Sequence, residues 1–311
     1  MSSQIRTIAS VEIKSLWHKL DLVWHLNPDV NILSGINGSG KSTILNWTAH
    51  LITFGGLFQE HQKLLAKITV TFNNGEFISF EKGKVSLKNA KTKTQEEFDY
   101  STRFMDIQTA LHSLHKSFEI SVISTFDNVI PVLERKPDES INTELDRIID
   151  RLQTEYLDYQ LDIGKKKDTI VETETNVKEA INKLRFPQNR FLEIIDNLFK
   201  ETGKKINRNK NKISFLFDDV EIAPYQLSSG EKQMLVILLT TLVQDNQPSI
   251  IFMDEPEISL HFDWQKKLIQ YVRELNPNAQ IILATHSPAV IMEGWLDKVS
   301  EVSDLIVNKK K

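Results

Sequence analysis

Cysteine is absent from the 311-residue sequence. Its absence excludes disulfide bonds, thiolate metal ligands and a cysteine nucleophile, and it suits a reducing compartment. A long hydrophobic run is also missing, and the first six residues do not have the pattern of a signal peptide. From these absences we expect a cytoplasmic protein that does not contact a membrane.

A large excess of charge of either sign is missing as well. The formal net charge is −4, so the whole chain has no strong attraction for nucleic acid, although a local basic patch is compatible with this value. The hydrophobic fraction of 40% and the charged fraction of 26% are ordinary for a globular protein. A chain of this length can form one large domain or two modest ones around a sizeable core.

The most informative stretch is a glycine-rich loop at 35–43, with the sequence G-I-N-G-S-G-K-S-T. It fits the pattern G-x-x-x-x-G-K-S/T, in which glycines let the backbone bend so that several N–H groups converge on phosphates. A buried strand is predicted at 30–33 and a helix from residue 44, so the positive helix end would face a triphosphate. The residues predicted to bind ATP are Gly35, Asn37, Gly38, Ser39, Gly40, Lys41, Ser42 and Thr43.

Four side chains are predicted to carry the chemistry. Lys41 can reach the β- and γ-phosphates, and the Ser42 hydroxyl can bind Mg²⁺. An apolar run at 249–253 ends in Asp254 and Glu255, as in a buried parallel strand that delivers functional groups at its carboxyl end. The glycine-rich loop at 35–43 has the pattern of a phosphate-binding P-loop. Because the strand follows such a loop in the sequence, we expect Asp254 to hold Mg²⁺ and Glu255 to orient or deprotonate the attacking water.

Two later motifs narrow the class. The stretch L-S-S-G-E-K-Q at 227–233 precedes a predicted helix, where Ser228 and Gly230 offer a hydroxyl and free N–H groups to an anion. Taken alone, these residues would form an ordinary helix cap. A second apolar strand is predicted at 279–285 and ends at His286, whose imidazole could contact a γ-phosphate in a nucleotide site.

Four motifs, in this order along the chain, resemble those of the ATP-binding-cassette (ABC) ATPases of the SMC, RecF and OLD-like branch. They are the glycine-rich loop at 35–43, L-S-S-G-E at 227–231, D-E-P at 254–256 and T-H-S-P at 285–288. In that family, two nucleotides lie in a head-to-tail dimer, and the signature of one subunit completes the ATP site of the other. The resemblance implies that Ser228 and Gly230 face the γ-phosphate bound to Lys41 of a second copy. It also implies that Glu255 is the catalytic carboxylate, that His286 is a switch histidine, and that 257–261 form the D-loop.

The Q-loop glutamine of this family is not evident. Its expected place at 125–128 reads T-F-D-N, where Asp127 or Asn128 could substitute, and Gln108 is a less suitable candidate. The D-loop place ends in His261, where many cassette proteins have aspartate.

Within this branch, the sequence looks like the ATPase subunits of bacterial anti-phage defence systems of the PARIS (AriA-like) and Septu types. The resemblance implies an ATP hydrolase that forms a homo-oligomer and whose cycle holds or releases a separate effector protein such as a nuclease. A RecF-like repair ATPase that binds DNA is the alternative, and it would need a continuous basic surface.

The fold class that follows from the resemblance is α/β, an ABC-ATPase head with a β-rich N-terminal subdomain and a helical insertion of the short coiled-coil type. We predict an N-terminal ATPase lobe at 1–133, a helical arm at 134–212 and a C-terminal ATPase lobe at 213–311. In the first lobe, alternation predicts strands at 10–17 and 20–26, and N-N-G at 73–75 predicts a hairpin turn. Residues 82–100 are polar and are predicted to form a loop or a mobile edge.

Three further features leave alternatives open. Trp17 or Trp24 could stack on adenine, although a strand aromatic more often belongs to the core.

Apolar residues at helical spacing predict one helix that is broken at Gly164 and a second that stops at Pro187. The two helices form either a short arm or two helices packed on the body. The run K-K-I-N-R-N-K-N-K at 204–212 could contact nucleic-acid phosphates, but a solvated hairpin turn is favoured because no aromatic residue is interleaved.

Overall fold

The computed structural model describes residues 7–88, 94–115, 118–123 and 143–309. The chain forms two compact units, which are described separately. The first contains Met1–Ser124, Gln247–Pro256 and Asn278–Lys311, and the second contains 125–246 and 257–277. No helix in the described ranges is long and apolar enough to span a membrane. The division into lobes at 133 and 212 stays a prediction.

Seven strands of the first unit form an antiparallel sheet in the order β15-β2-β1-β4-β5-β6-β7. They are β1 (Ile8–Leu16), β2 (Leu20–His25), β4 (Lys67–Phe72), β5 (Phe77–Glu81), β6 (Lys84–Lys88), β7 (Gln95–Asp99) and β15 (Ile306–Lys309). In β4, apolar and polar residues alternate, so Ile68, Val70 and Phe72 are buried while their neighbours are only partly covered. The predicted N-N-G hairpin joins β4 to β5.

For the described part of 82–100, the loop alternative was wrong and the position at an edge was confirmed, because β6 and β7 extend the sheet to its edge. Only one residue of each strand is clearly buried. Val85 of β6 and Phe98 of β7 lie opposite one another, and the rest of β7 is exposed. Lys84 also forms an exposed ion pair with Glu97 across the two strands. Polar edge strands of this kind are easily mistaken for loops.

A five-stranded parallel sheet of the first unit has the order β14-β3-β13-β12-β8. Its strands are β3 (Val30–Ser34), β8 (Glu119–Ile123), β12 (Ser249–Asp254), β13 (Ala279–Ala284) and β14 (Val299–Glu301). Strand β13 is buried along its whole length, and β12 is buried up to Asp254. The apolar runs predicted to be buried strands are therefore central in a parallel sheet, as expected.

A buried amide joins the two sheets of the first unit. Gln280 on β13 donates from Nε2 to the carbonyls of Ile8 (2.8 Å) and Asn27 (2.7 Å), and its Oε1 accepts from Ile8 N (2.7 Å). Every polar atom of this fully buried side chain therefore has a partner, which fixes β1 against β13. Helices α1 (Lys41–Phe54), α2 (Gln59–Gln62), α3 (Phe104–His115) and α8 (Pro288–Met292) complete the unit.

The second unit is mainly helical. It contains α4 (Glu144–Thr173), α5 (Val177–Leu198), α6 (Ser229–Val243) and α7 (Phe262–Leu275). A small antiparallel sheet, β9 (Lys204–Ile206), β10 (Phe215–Phe217) and β11 (Val220–Ile222), has the order β11-β10-β9. Helix α6 is buried on nearly all sides, and α4, α5 and α7 pack against it.

Two predicted helix boundaries in this unit were wrong. Helix α4 continues through Gly164, and α5 continues through Pro187 to Leu198. Glycine costs about 1 kcal/mol and proline about 3 kcal/mol or more in a helix interior. Tertiary packing outweighs these local preferences, because Ile163 is buried just before the glycine and Phe191 and its neighbours are buried after the proline. The predicted arm is thus a hairpin of two continuous helices whose base is buried and whose far half is largely exposed.

Candidate nucleotide-binding site

The loop at 35–40 connects β3 to α1 in the first unit. Gly40 has φ of 101°, and a Cβ atom there would lie 2.6 Å from Cη2 of the Trp17 ring, so only glycine fits. Helix α1 begins directly afterwards with no side-chain cap and no acidic residue in its first turn. Its positive end is therefore not compensated by its own side chains, which suits an anion such as a phosphate.

The two tryptophans that could stack on adenine differ in burial. Trp24 is 1% exposed, and its indole Nε1 donates to Ser300 Oγ at 3.2 Å, so it belongs to the core. Trp17 is partly exposed and lies against Gly40 of the phosphate loop. Of the two, Trp17 alone remains a candidate for contact with the base.

Polar atoms inside the loop are arranged for a ligand. Lys41 is only 4% exposed, and its ammonium donates to the carbonyls of Gly35 (3.1 Å) and Ile36 (3.3 Å). Ser39 Oγ is buried and has no hydrogen-bond partner within the described ranges. A buried hydroxyl without a partner is costly, and a phosphate oxygen would satisfy it. Asn37 and Gly38 are exposed, and Thr43 lies in the first turn of α1.

The predicted magnesium ligands lie side by side. Ser42 Oγ donates to Asp254 Oδ1 at 2.9 Å, although the two residues are 212 positions apart in the sequence. Asn46 Nδ2 also approaches Asp254 Oδ2, at 3.4 Å. Asn46 was missed in the sequence analysis, although it lies four residues after Ser42 and hence on the same helical face.

This donor set fits Mg²⁺ better than a transition metal. In the part of the chain that the structure describes, no three His, Cys, Asp or Glu side chains are grouped as metal ligands. Mg²⁺ is commonly held by one or two protein oxygens together with substrate phosphates and water. The Ser42 hydroxyl and the Asp254 carboxylate match that pattern.

Glu255 and His286 form a second pair at the ends of neighbouring strands. Oε1 of Glu255 is 3.2 Å from Nε2 of His286, and both side chains are partly exposed. Glu255 adopts a left-handed backbone conformation with φ of 48°, and its N–H donates to the carbonyl of Ala284. Such a conformation is strained for a residue other than glycine and is often found at active sites. The structure thus brings two predicted catalytic side chains into contact.

The predicted signature belongs to the second unit. Ser228 caps α6, where its hydroxyl accepts from Glu231 N (3.4 Å) and donates to Glu231 Oε2 (3.0 Å). At Gly230, a Cβ atom would lie 2.3 Å from the carbonyl oxygen of Ser259, in the predicted D-loop. The signature and the D-loop of one chain are therefore in such close contact that a side chain at Gly230 is excluded.

The carboxylate of Glu231, in the predicted signature, is held by four neighbouring donors. Lys204 Nζ donates to both oxygens (2.9 and 3.2 Å), Thr202 Oγ1 donates at 2.8 Å, and Ser228 donates from N and Oγ. Burial alone would raise the pKa of Glu231, but the hydrogen bonds from Lys204, Ser228 and Thr202 outweigh it and lower the pKa. The carboxylate therefore remains ionised inside the protein.

A second buried ion pair fixes the next residue of the signature helix. Lys232 Nζ lies 2.7 Å from Asp146 Oδ1, and both side chains are nearly inaccessible to solvent. The other carboxylate oxygen of Asp146 accepts from Thr143 N in the capping box of α4. Helix α6 is thereby tied to the start of α4. Neither this pair nor the Lys204–Glu231 pair was predicted, because their partners are distant in sequence.

The predicted Q-loop residues Asp127 and Asn128 lie outside the described residues. Gln108 is on α3, and its Nε2 donates to the carbonyl of Phe54 at the C-terminal end of α1. That end is about 20 Å along the helix from Ser42. Gln108 is therefore a poor candidate for a contact with a metal beside Ser42.

The family model described as "AAA domain, putative AbiEii toxin, Type IV TA system" matches residues 30–293, which is most of the chain. The chain belongs to this AAA-domain family. The match begins at the strand before the phosphate loop and ends after His286, so it includes every predicted site residue. The individual roles of these residues stay predictions.

Two curated relatives are similar over most of this AAA-domain chain. The "Retron Vc95 probable ATPase" of Vibrio cholerae serotype O1 biovar El Tor is 24% identical over 356 aligned residues, covering 89% of this chain and 69% of that protein. The Septu protein PtuA of Bacillus thuringiensis is 22% identical over 316 aligned residues, covering 88% of this chain and 70% of that protein. These relatives confirm the predicted resemblance to ATPases of bacterial defence systems.

Among solved structures, an SMC head bound to the C-winged helix domain of ScpA is similar in fold. The TM-score is 0.54 at 16% sequence identity, over 92% of this chain and 91% of that one. At this identity the likeness shows the fold alone. It confirms the predicted α/β fold, which is similar to that of an SMC head. The family match and the retron relative place the chain among proteins of the AAA/ABC ATPase type.

Proposed function

We propose that the protein binds and hydrolyses ATP with Mg²⁺ in a head-to-tail dimer of two chains. The observation that carries the proposal is the placement of two side-chain pairs around one phosphate loop, Ser42 with Asp254 and Glu255 with His286. Strand β12, which ends at Asp254, and strand β13, which ends two residues before His286, are direct neighbours in the parallel sheet. Functional groups at adjacent carboxyl strand ends are typical of nucleotide sites in α/β proteins.

Each residue then has a defined task. The Lys41 ammonium binds the β- and γ-phosphates in place of its present carbonyl partners, and Ser42 and Asp254 hold the metal ion. When bound, Mg²⁺ neutralises charge on the phosphates. Glu255 orients the attacking water and accepts its proton, and His286 keeps the carboxylate in position and contacts the γ-phosphate.

Exposed apolar side chains beside three of the motifs support the dimer. Ile36 in the phosphate loop is 82% exposed, Phe262 just after the D-loop is 58% exposed, and Tyr225 before the signature is also exposed. Apolar residues at these positions would be covered if the signature of a second copy, with Ser228 and Gly230, closed over the bound nucleotide. Closure would then depend on ATP because the γ-phosphate provides the contact.

We further propose that the ATPase cycle holds or releases a separate effector protein in anti-phage defence. The retron and Septu relatives support the defence role, and the SMC head bound to the ScpA domain is an example of this fold with a protein partner. The neighbouring open reading frame provides a test. A nuclease or toxin encoded there should co-purify with the ATPase and change its association with ATP. Co-purification unchanged by ATP would contradict gating.

The role of Glu255 is tested by Glu255→Gln. This change preserves the shape of the side chain but removes the proton acceptor, so we expect ATP binding to persist and turnover to fall by about 10²–10⁴-fold. ATP-dependent dimers should accumulate and be detected by light scattering. The control is Glu293→Gln, an exposed glutamate of the same unit. Turnover like the parent in Glu255→Gln would refute this role.

The sandwich is tested separately by Ser228→Arg. A bulky cation at the cap of α6 should leave nucleotide binding to the first unit largely intact but prevent closure of the dimer. Thr173→Arg, at the exposed end of α4, introduces the same side chain away from the motifs and serves as the control. Unimpaired ATP-dependent dimerisation of Ser228→Arg would contradict the head-to-tail arrangement.

A further inference from the structure

The basic run of the second unit consists of β9 and of the exposed turn that joins β9 to β10, so the predicted solvated hairpin turn is confirmed. Its first residues form β9, and the remainder, 207–213, is called the basic loop below. Before the loop, Ile206 N donates to Asp196 Oδ1 at 2.8 Å. At its end, Gln153 on α4 accepts from Ile213 N and donates to Ile213 O, each at 2.7 Å. Both ends of this exposed turn are therefore anchored by hydrogen bonds.

A cavity of about 300 Å³ lies between the basic loop, α4 and α5. Four cationic side chains line it: Arg208, Lys210 and Lys212 from the loop and Arg185 from α5. Carboxamides from the same elements, including Gln160 and Asn211, also line it, but no aspartate or glutamate does. A larger neighbouring cavity shares Lys210 and Lys212 with it and is also lined by Asp150 and Glu221.

The positive charge of the smaller cavity is only partly neutralised. Arg208 pairs with Asp196 at 2.7 Å, and Lys210 lies 3.6 Å from Glu221, and neither carboxylate lines the cavity. Arg185 and Lys212 form no ion pair with any residue of the described segments. Two uncompensated cations, supported by amide donors, favour an anion with several oxygen atoms.

We propose that this basic cavity binds a phosphate group of a nucleotide-containing ligand at a site separate from the phosphate loop. A guanidinium and an ammonium match phosphate oxygens, and carboxamides donate additional N–H groups. The cavity volume of about 300 Å³ lies at the lower end of the range for small-molecule pockets. The aromatic residue in the lining, Tyr156, is buried and its hydroxyl accepts from Gln188, so it is not exposed for base stacking. The site therefore recognises phosphate and not base sequence, and this group is present both in a nucleic acid strand and in a free nucleotide.

The test uses the full chain with Lys41→Ala, so that the phosphate loop does not contribute. Binding of a fluorescein-labelled single-stranded oligonucleotide is followed by anisotropy, and binding of AMP and inorganic phosphate by calorimetry. The double variant Arg185→Gln/Lys212→Gln removes the two uncompensated charges. The control, Lys178→Gln/Lys200→Gln, changes the net charge equally at exposed positions of the same unit outside the cavity.

We expect the double variant to lose at least tenfold in affinity for one of these probes while the control stays within about twofold. For the oligonucleotide, the slope of log K against log salt should become shallower by about 1.4, since each lost single-strand phosphate contact contributes about 0.7. A loss confined to the oligonucleotide identifies a nucleic acid strand, and a loss with AMP or phosphate identifies a free ligand. The proposal is overturned if no probe binds, or if both double variants weaken binding equally. Because Lys41 is replaced throughout, these outcomes do not depend on the proposed ATPase cycle.

Discussion

Replacing Lys204 by methionine should destabilise the second unit through the carboxylate of Glu231. The two side chains form an ion pair in which Glu231 is 2% exposed and Lys204 is 18% exposed. Methionine keeps most of the apolar stem of lysine but removes the ammonium group. The change therefore leaves a buried carboxylate without its cation, while Thr202 and Ser228 continue to donate hydrogen bonds.

Removing one partner of a buried ion pair typically costs about 3–5 kcal/mol, because the remaining charge is uncompensated. Three donors remain around Glu231, and Lys204 is partly accessible to solvent, so the lower end applies. We expect the free energy of unfolding to decrease by about 3 kcal/mol at neutral pH. The neighbouring exposed Lys205 makes a matched control, and Lys205→Met should change it by less than about 0.5 kcal/mol.

The effect should depend on pH in a defined direction. The pKa of Glu231 is lowered in the folded protein by Lys204, so the stabilisation is present above the unfolded pKa of about 4.3 and is lost as pH falls through the folded value. In Lys204→Met, burial is opposed by fewer groups, the pKa rises, and the carboxylate is protonated at higher pH. The difference between parent and variant should be largest at neutral pH and should shrink as pH falls from the raised pKa of the variant towards the lowered pKa of the parent.

Urea unfolding at several pH values measures this difference, and amide hydrogen exchange at 228–233 reports it locally. Adding Glu231→Gln to Lys204→Met removes the uncompensated charge and should restore about half of the loss or more. Equal stability of Lys204→Met and Lys205→Met at neutral pH would refute the reasoning. A loss that persists unchanged in acid, or that Glu231→Gln does not relieve, would assign the effect to packing instead.

Three other changes concern local contacts: Gly230→Ala with its control Gly164→Ala in the second unit, and Gln280→Leu in the first. Gly230→Ala places a methyl group against the backbone oxygen of Ser259, so it should lower the free energy of unfolding by about 1–3 kcal/mol and weaken ATP-dependent dimerisation. In Gly164→Ala on α4, the added methyl group meets no atom within 4 Å. This variant should raise the free energy of unfolding by about 0.5–1 kcal/mol, and urea unfolding measures both changes. Gln280→Leu removes the hydrogen bonds to the N–H and carbonyl of Ile8 and one of the two to the Asn27 carbonyl, which still accepts from Asn31 Nδ2. This change should cost about 3 kcal/mol, and a loss below about 1 kcal/mol would show that the amide does not fix the two sheets.

The sequence was sufficient wherever the signal was local. The glycine-rich loop, the apolar strand before Asp254 and the strand before His286 each combine a short motif with the element that must flank it. Parallel strands deliver their end residues to one edge of a sheet, so contact between side chains far apart in sequence could be predicted. The contacts of Ser42 with Asp254 and of Glu255 with His286 follow from this rule.

Features that depend on tertiary packing were missed. Gly164 and Pro187 disfavour helix locally, but the buried faces of α4 and α5 overcome both residues. The edge strands β6 and β7 carry one clearly buried residue each, too little for a recognisable alternation. The ion pairs of Lys204 with Glu231 and of Lys232 with Asp146 join segments 27 and 86 residues apart, and no local pattern indicates such partners.

The central claim, that the site is completed by the signature of a second chain, is tested most directly by the concentration dependence of ATP hydrolysis. If each Lys41 site needs Ser228 and Gly230 from a partner, the rate per chain should be low at the lowest protein concentrations and rise to a plateau as dimers form. Addition of inactive Glu255→Gln chains should then alter the rate of the parent through mixed dimers. A specific activity that is independent of concentration while light scattering shows monomers throughout would contradict the account.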